Sequence, residues 1–199
     1  MDEIFISYRR DDAGYATATI HRQLSEYFGS GHVFRDNESL HLSEDYPDAL
    51  WAALRRCQVL VAVMGPRWLG TSVDGRRRMD DPKDWVRREL EQGLRRGIPI
   101  APVRLDDAPD LASANLPAGL GKLVTKQATR VRQEAFADDV HALAAKLGRL
   151  VPRLATVVDT AARQPAGSAA PTNLVHTTIH GGVHGESVVF GMSDQRRRR

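Results

Sequence analysis

VLVAVM, residues 59 to 64, is the stretch whose reading decides the fold. It is apolar throughout, rich in valine, and does not alternate with polar residues. A strand with one wet face alternates; a strand covered on both faces reads as an unbroken apolar run. Strands of that kind belong to parallel sheets, whose crossover helices lie on either side. The reading of the neighbouring segments therefore turns on whether helices flank this run.

They do on both sides, because short apolar runs alternate with helical periodicities. Upstream, Ile4 to Tyr8 reads as a first strand, and residues 13 to 28 as a helix burying Ile20, Leu24 and Phe28. His32 to Arg35 is a short second strand, followed by a polar loop from Asp36 to Asp45. Tyr46, Leu50, Ala53 and Cys57 form the buried face of the next helix, capped by Ser43 or Asp45. Downstream, DWVRREL at 84 to 90 lies in a helix with Val86, Leu90 and Leu94 at i, i+4 and i+8, its start marked by Asp81 and Pro82. Ile98 to Val103 is a fourth strand, and a fifth lies within Leu123 to Val131. A last helix over roughly 134 to 150 shows Phe136, Val140, Leu143 and Leu147. Residues 104 to 121, with Pro109, Pro117, Gly119 and Gly121, receive no regular structure. The expectation is an α/β fold, a five-stranded open parallel sheet with helices on both faces.

The 199 residues, 42% hydrophobic and 27% charged, suit one well-buried domain with an appendage. Residues 1–150 form the domain and 151–173 a flexible linker. A Gly-rich β-like block spans 174–192, and a basic disordered tail 193–199. The block could form a hairpin that docks on a partner of unspecified kind. The net charge of +3 becomes −1 without the four terminal arginines (3 − 4 = −1), which argues against a nucleic-acid partner. Cys57 stands alone, excluding an intramolecular disulfide and suiting a reducing compartment. The start MDEIF is acidic where a signal peptide would be basic. The longest apolar stretch, Val59 to Gly65, falls far short of the roughly 20 residues of a membrane span. A cytoplasmic location follows as the expectation. Arginine greatly outnumbers lysine, which is confined to 83, 122, 126 and 146 and hints at a GC-rich bacterial genome.

In an open parallel sheet ligands bind beyond the carboxyl ends of the strands. Those ends carry Arg9, Arg10 and Asp11, then Asp36, then Pro66 to Trp68, and the first turns of the helix bearing Glu89. Arginines there could hold a pyrophosphate. They could equally pair with Asp11, Asp12 or Asp36 and stabilise the loop. Within the DWVRREL helix, Glu91 has Arg87 and Arg95 four residues to either side and reads as a surface acid in an ion-pair ladder. Glu89 has Trp85, Val86, Gln92 and Gly93 at the same spacings. A carboxylate without a counter-ion beside an indole points to a site. No GxGxxG or GxxxxGK[ST] cradle occurs, nor a GxSxG elbow. His176, His180 and His184 are separated by glycines with no completing acid or cysteine, so no metal site is expected.

FISYRR at 5 to 10, VFRD at 33 to 36, the amphipathic helix from Tyr46, VLVAVMGPRWL at 59 to 69 and DWVRREL followed by GIPIAPV together resemble a Toll/interleukin-1 receptor (TIR) domain. The resemblance covers residues 3 to about 150 and is strongest to the enzymatic, bacterial defence branch. It implies a flavodoxin-like sheet and cleavage of NAD⁺ between nicotinamide and ribose. It further implies Glu89 as the catalytic residue and Trp85 as a pocket wall, with Arg9 and Asp36 near the substrate. NAD⁺ would be substrate, with no further cofactor, and other TIR domains would be partners in an activating assembly. Where the family usually has a glycine in the loop after the second strand, this chain has Ser43. DNESLHLSEDY also lacks the Arg-Asp-x-x-Pro-Gly pattern of receptor adaptors. The alternatives are a non-catalytic module signalling through TIR contacts, and an enzyme that makes a cyclic product.

Overall fold

The computed structural model describes residues 3–35, 46–70 and 75–151, and every structural statement below refers to these. Five strands are present: β1 (Ile4–Tyr8), β2 (Val33–Arg35), β3 (Val59–Met64), β4 (Ile100–Leu105) and β5 (Thr129–Val131). The helices are α1 (Arg10–Phe28), α2 (Tyr46–Arg56), α3 (Trp85–Arg95) and α4 (Phe136–Leu150). The sheet is parallel throughout in the order β2-β1-β3-β4-β5. All six residues of β3 are buried, as its unbroken apolar run requires.

Strand alternation distributes the core into two layers. Ile4, Ile6 and Tyr8 of β1 and Val59, Val61 and Val63 of β3 pack with α1 and α4. Phe5 and Leu60, Ala62 and Met64 pack with α2 and α3. The expected stripes are buried: Ile20, Leu24 and Phe28 in α1, Val140, Leu143 and Leu147 in α4. No helix is long and apolar enough to cross a membrane.

Several boundaries differ from the sequence reading. α1 starts at Arg10 rather than 13, with Asp11 and Asp12 in its first turn, where the helix dipole favours acids. α3 is not opened by Asp81 and Pro82; Asp84 is its cap, its side chain accepting from the Arg87 N–H. At the other end Gly97, at φ 70°, closes α3 by donating to Leu94 O while Ile98 N donates to Gly93 O. β4 runs from Ile100 to Leu105, two residues later than expected. Its Pro102 faces Ala62 on β3, and β5 joins only from Val103, so the missing N–H falls where β4 is still the edge strand. A 3₁₀ helix, Ala118–Leu123, begins in the stretch 104–121 expected to be irregular and ends on Leu123, where the range for the fifth strand began; Leu120 and Leu123 are buried there. The caps proposed for α2, the loop 36–45, the Gly-rich block, the tail and the linker beyond its first residue lie outside the described residues; that first residue, Val151, is buried in the core.

Candidate functional site

In this strand order the chain leaves β1 and β3 in opposite directions, which opens a crevice at their carboxyl ends. Alternation along IFISY places Ser7 on the same side as Phe5, toward α3. Glu89 lies on the inward face of α3 with Val86, Leu90 and Gly93 and is 0% exposed. The Ser7 hydroxyl donates to Glu89 Oε2 at 2.5 Å. Gly93, one turn on, lets the helix approach β3 closely, since a Cβ there would stand 3.2 Å from Leu60 Cδ1. A carboxylate is thus held at the crevice by a strand residue 82 positions away.

Arg9, expected near a substrate phosphate, serves the protein interior. It is 1% exposed. Its Nη1 and Nη2 donate to the two oxygens of Asp84 at 2.7 and 3.0 Å, and its Nε to Trp68 O at 2.5 Å. The partner is thus Asp84, 75 positions away, rather than the neighbouring Asp11 or Asp12. Asp84 therefore caps α3 and anchors it to the end of β1; Arg78 Nε approaches the same carboxylate at 3.5 Å. Asp12 turns to the loop after β3, accepting from Gly65 N at 3.0 Å and Arg67 N at 2.7 Å. Those backbone donors, which could cradle a phosphate, hold a carboxylate instead. Asp11 meets Arg78 at 3.4 Å, and its carbonyl accepts from Arg67.

The other named residues are distributed more widely. Arg10 is exposed on the first turn of α1. The Trp68 side chain is wholly buried in the core beside Met64 and Met79 rather than on a crevice wall. Trp85 is half-buried and turns toward α2. Its ring centroid lies 5.9 Å from that of Trp51, with the Arg88 guanidinium over both indoles, 4.7 Å from Trp85 and 5.0 Å from Trp51. Asp36 lies outside the described residues. The ladder around Glu91 is half as expected: Arg87 Nε bonds it at 2.8 Å, while Arg95 donates to Gln92. Cys57 is buried, its Sγ donating to Leu54 O, and burial pushes its thiol up to about 12, the behaviour of a packing residue rather than a nucleophile. No group of three or more possible metal ligands occurs among the described residues.

Sequence reading missed Ser7 and Asp84 as parts of this site. Ser7 had a signal, since it is the polar position on the inward face of an otherwise apolar strand. Asp84 stands immediately before the helix it caps, but the Asp-Pro pair at 81 and 82 is a stronger formal start signal.

A sequence profile described as the TIR domain matches residues 4–144. Among solved structures, the chain is similar to the TIR domains in the activated Roq1 resistosome directly recognising the pathogen effector XopQ. The identity is 16%, the match covers 74% of this chain and 99% of that one, and the TM-score is 0.52. No curated protein matches at a significant level. At that identity the structural likeness establishes the fold.

Proposed function

This chain belongs to the TIR domain family, and on that premise we propose that it hydrolyses NAD⁺ at the nicotinamide–ribose bond, releasing nicotinamide and ADP-ribose or its cyclic form. The observation that carries the reading is the Glu89 carboxylate, held by Ser7 at the carboxyl end of β1 on a helix clamped by Arg9 and Asp84. Nicotinamide departs as a neutral molecule and needs no general acid. The barrier lies in the positive charge left on the ribose. A carboxylate fixed in a site shielded from water stabilises such an oxocarbenium-like state far better than one in solvent. Ser7 positions that carboxylate and Arg10, exposed at the start of α1, is placed to take a phosphate. Trp85 and Asp36 would border the ribose and nicotinamide. Arg9 and Trp68 act through the scaffold.

NAD⁺ is the substrate and no resident cofactor is needed, in a cytoplasmic enzyme of prokaryotic defence. Glu89 at 0% exposure requires the crevice to open before substrate reaches it. Self-assembly of TIR domains supplies a switch of that kind, and the similar Roq1 domains belong to an activated resistosome. The same burial favours, as the second reading, an interaction module in which Glu89 only ties α3 to the sheet.

Nicotinamide release from NAD⁺, followed by chromatography on dilute and on crowded protein, separates the two. We expect release that rises with concentration and falls by about 10² to 10³ in Glu89→Gln, with the circular dichroism spectrum unchanged. Full turnover in that variant would overturn the assignment, and no release from the wild type under any condition would support the interaction module.

A further inference from the structure

The outward side of α3 carries a charged feature that NAD⁺ cleavage does not use. Arg88, Gln92 and Arg95 recur at i, i+4 and i+7, and opposite them α2 presents Trp51 and Arg55 at i and i+4. With Glu91 they line a cleft of about 350 Å³. Among the described residues none of the three arginines pairs with a carboxylate. Arg88 lies against the two indoles, Arg95 donates to the neutral Gln92, and the Arg55 side chain has no hydrogen bond or ion pair to a described residue, its carbonyl alone accepting from Arg96. Glu91, the acid lining the cleft, is held by Arg87. Several arginines elsewhere on the surface do meet acids: Arg77 meets Asp80, Arg104 Asp110, Arg130 Asp106 and Arg132 Asp139. Three like charges around one concavity repel one another until an anion arrives.

We propose that this cleft between α2 and α3 binds a small phosphorylated ligand of the di- or triphosphate class. Guanidinium forks match phosphate oxygens and stay charged at any physiological pH. Arg88 is already fixed by its two indoles, so little side-chain entropy is lost when it bonds. The cleft volume lies at the lower end of small-molecule sites. Trp51 adds a flat apolar wall on which a ring attached to the phosphates would stack. Glu89 is buried against the sheet and does not line this cleft.

The test is calorimetric titration of the full chain at low ionic strength with inorganic pyrophosphate and, separately, ADP. We expect one-site binding of pyrophosphate that weakens as salt is raised. The Arg55→Ala/Arg95→Ala double variant should bind about tenfold or more weakly, since each arginine donates charge-assisted hydrogen bonds, and Glu89→Gln should bind like the wild type. ADP binding tighter than pyrophosphate assigns the ring to Trp51, and equal binding confines recognition to the phosphates. Both arginines are exposed, so an unchanged melting temperature verifies the fold of the double variant. Absence of pyrophosphate binding by the wild type, undiminished binding by the double variant, or loss of binding on Arg10→Ala in place of Arg55 and Arg95 would overturn the proposal.

Discussion

On the inner side of α3, Ser7 and Glu89, and Arg9 and Asp84, are buried pairs joined by short hydrogen bonds, whereas on its outer side Arg55, Arg88 and Arg95 border a cleft whose lining acid, Glu91, is already taken by Arg87. The helix is the same; the solvent is not. Taking a charge out of water costs several kcal/mol, so an interior arginine persists only with a partner of matching geometry. In water an unmatched arginine costs little, and it is left available to a ligand. Charge pairing inside therefore reports what the fold needs, and unpaired charge outside reports what the surface can recruit.

The sharpest way to break this contrast is Arg9→Ala, which takes the bidentate partner from the buried Asp84 carboxylate and leaves it only Arg78 at 3.5 Å and the Arg87 N–H. We expect a loss of about 3–5 kcal/mol in urea denaturation, and a loss under 1 kcal/mol would mean that the pair is not a structural tie. Ser7→Ala comes next, because it removes the donor to Glu89 while leaving the carboxylate buried; a loss of about 1–3 kcal/mol is expected from the same measurement. On the outer side Arg95→Ala should stay within about 0.5 kcal/mol of the wild type. A larger destabilisation would show that the stripe holds the fold together.

The smallest effect belongs to a less buried counterpart of the Arg9 pair. Arg132 donates Nε and Nη2 to Asp139 at 2.9 and 2.8 Å, a similar fork at the surface and only partly buried. Hydrogen bonding from the Arg132 side chain, then from its backbone, lowers the Asp139 carboxyl to about 2. A lowered carboxylate stabilises the fold above the unfolded-state value and loses that contribution as pH falls through the folded one. Wild type and Asp139→Asn should therefore differ by a constant small amount above about pH 4, converging as pH falls to about 2. A difference that persists below that range would assign the effect to something other than the ion pair.

Much of the architecture was legible because it rests on periodicity. The unbroken run at Val59–Met64, the stripe Ile20, Leu24, Phe28 and the stripe Val140, Leu143, Leu147 all face the core as their spacing implies. Edges were less legible. IPIAPV is apolar at both ends, so only pairing with β3 fixed Ile100 opposite Leu60 and moved β4 by two residues. The candidate site divided along the same line. Glu89 was picked out as a candidate from the types of residue three and four positions away in its helix, since those are local, but its bond to Ser7 was not legible.

By itself the sequence determined the class of sheet and the core-facing stripes of α1 and α4, and it supplied Glu89 as a candidate, because each depends on residues within a turn or two of one another. Tertiary structure alone decided that Arg9 closes on Asp84, 75 positions away, that Trp68 sinks into the core, and that Trp85 stacks with Trp51 across two helices. The physical reason is desolvation. Which charge must be paired, and which ring can face a ligand, depends on how much water remains around it, and only the packed chain sets that.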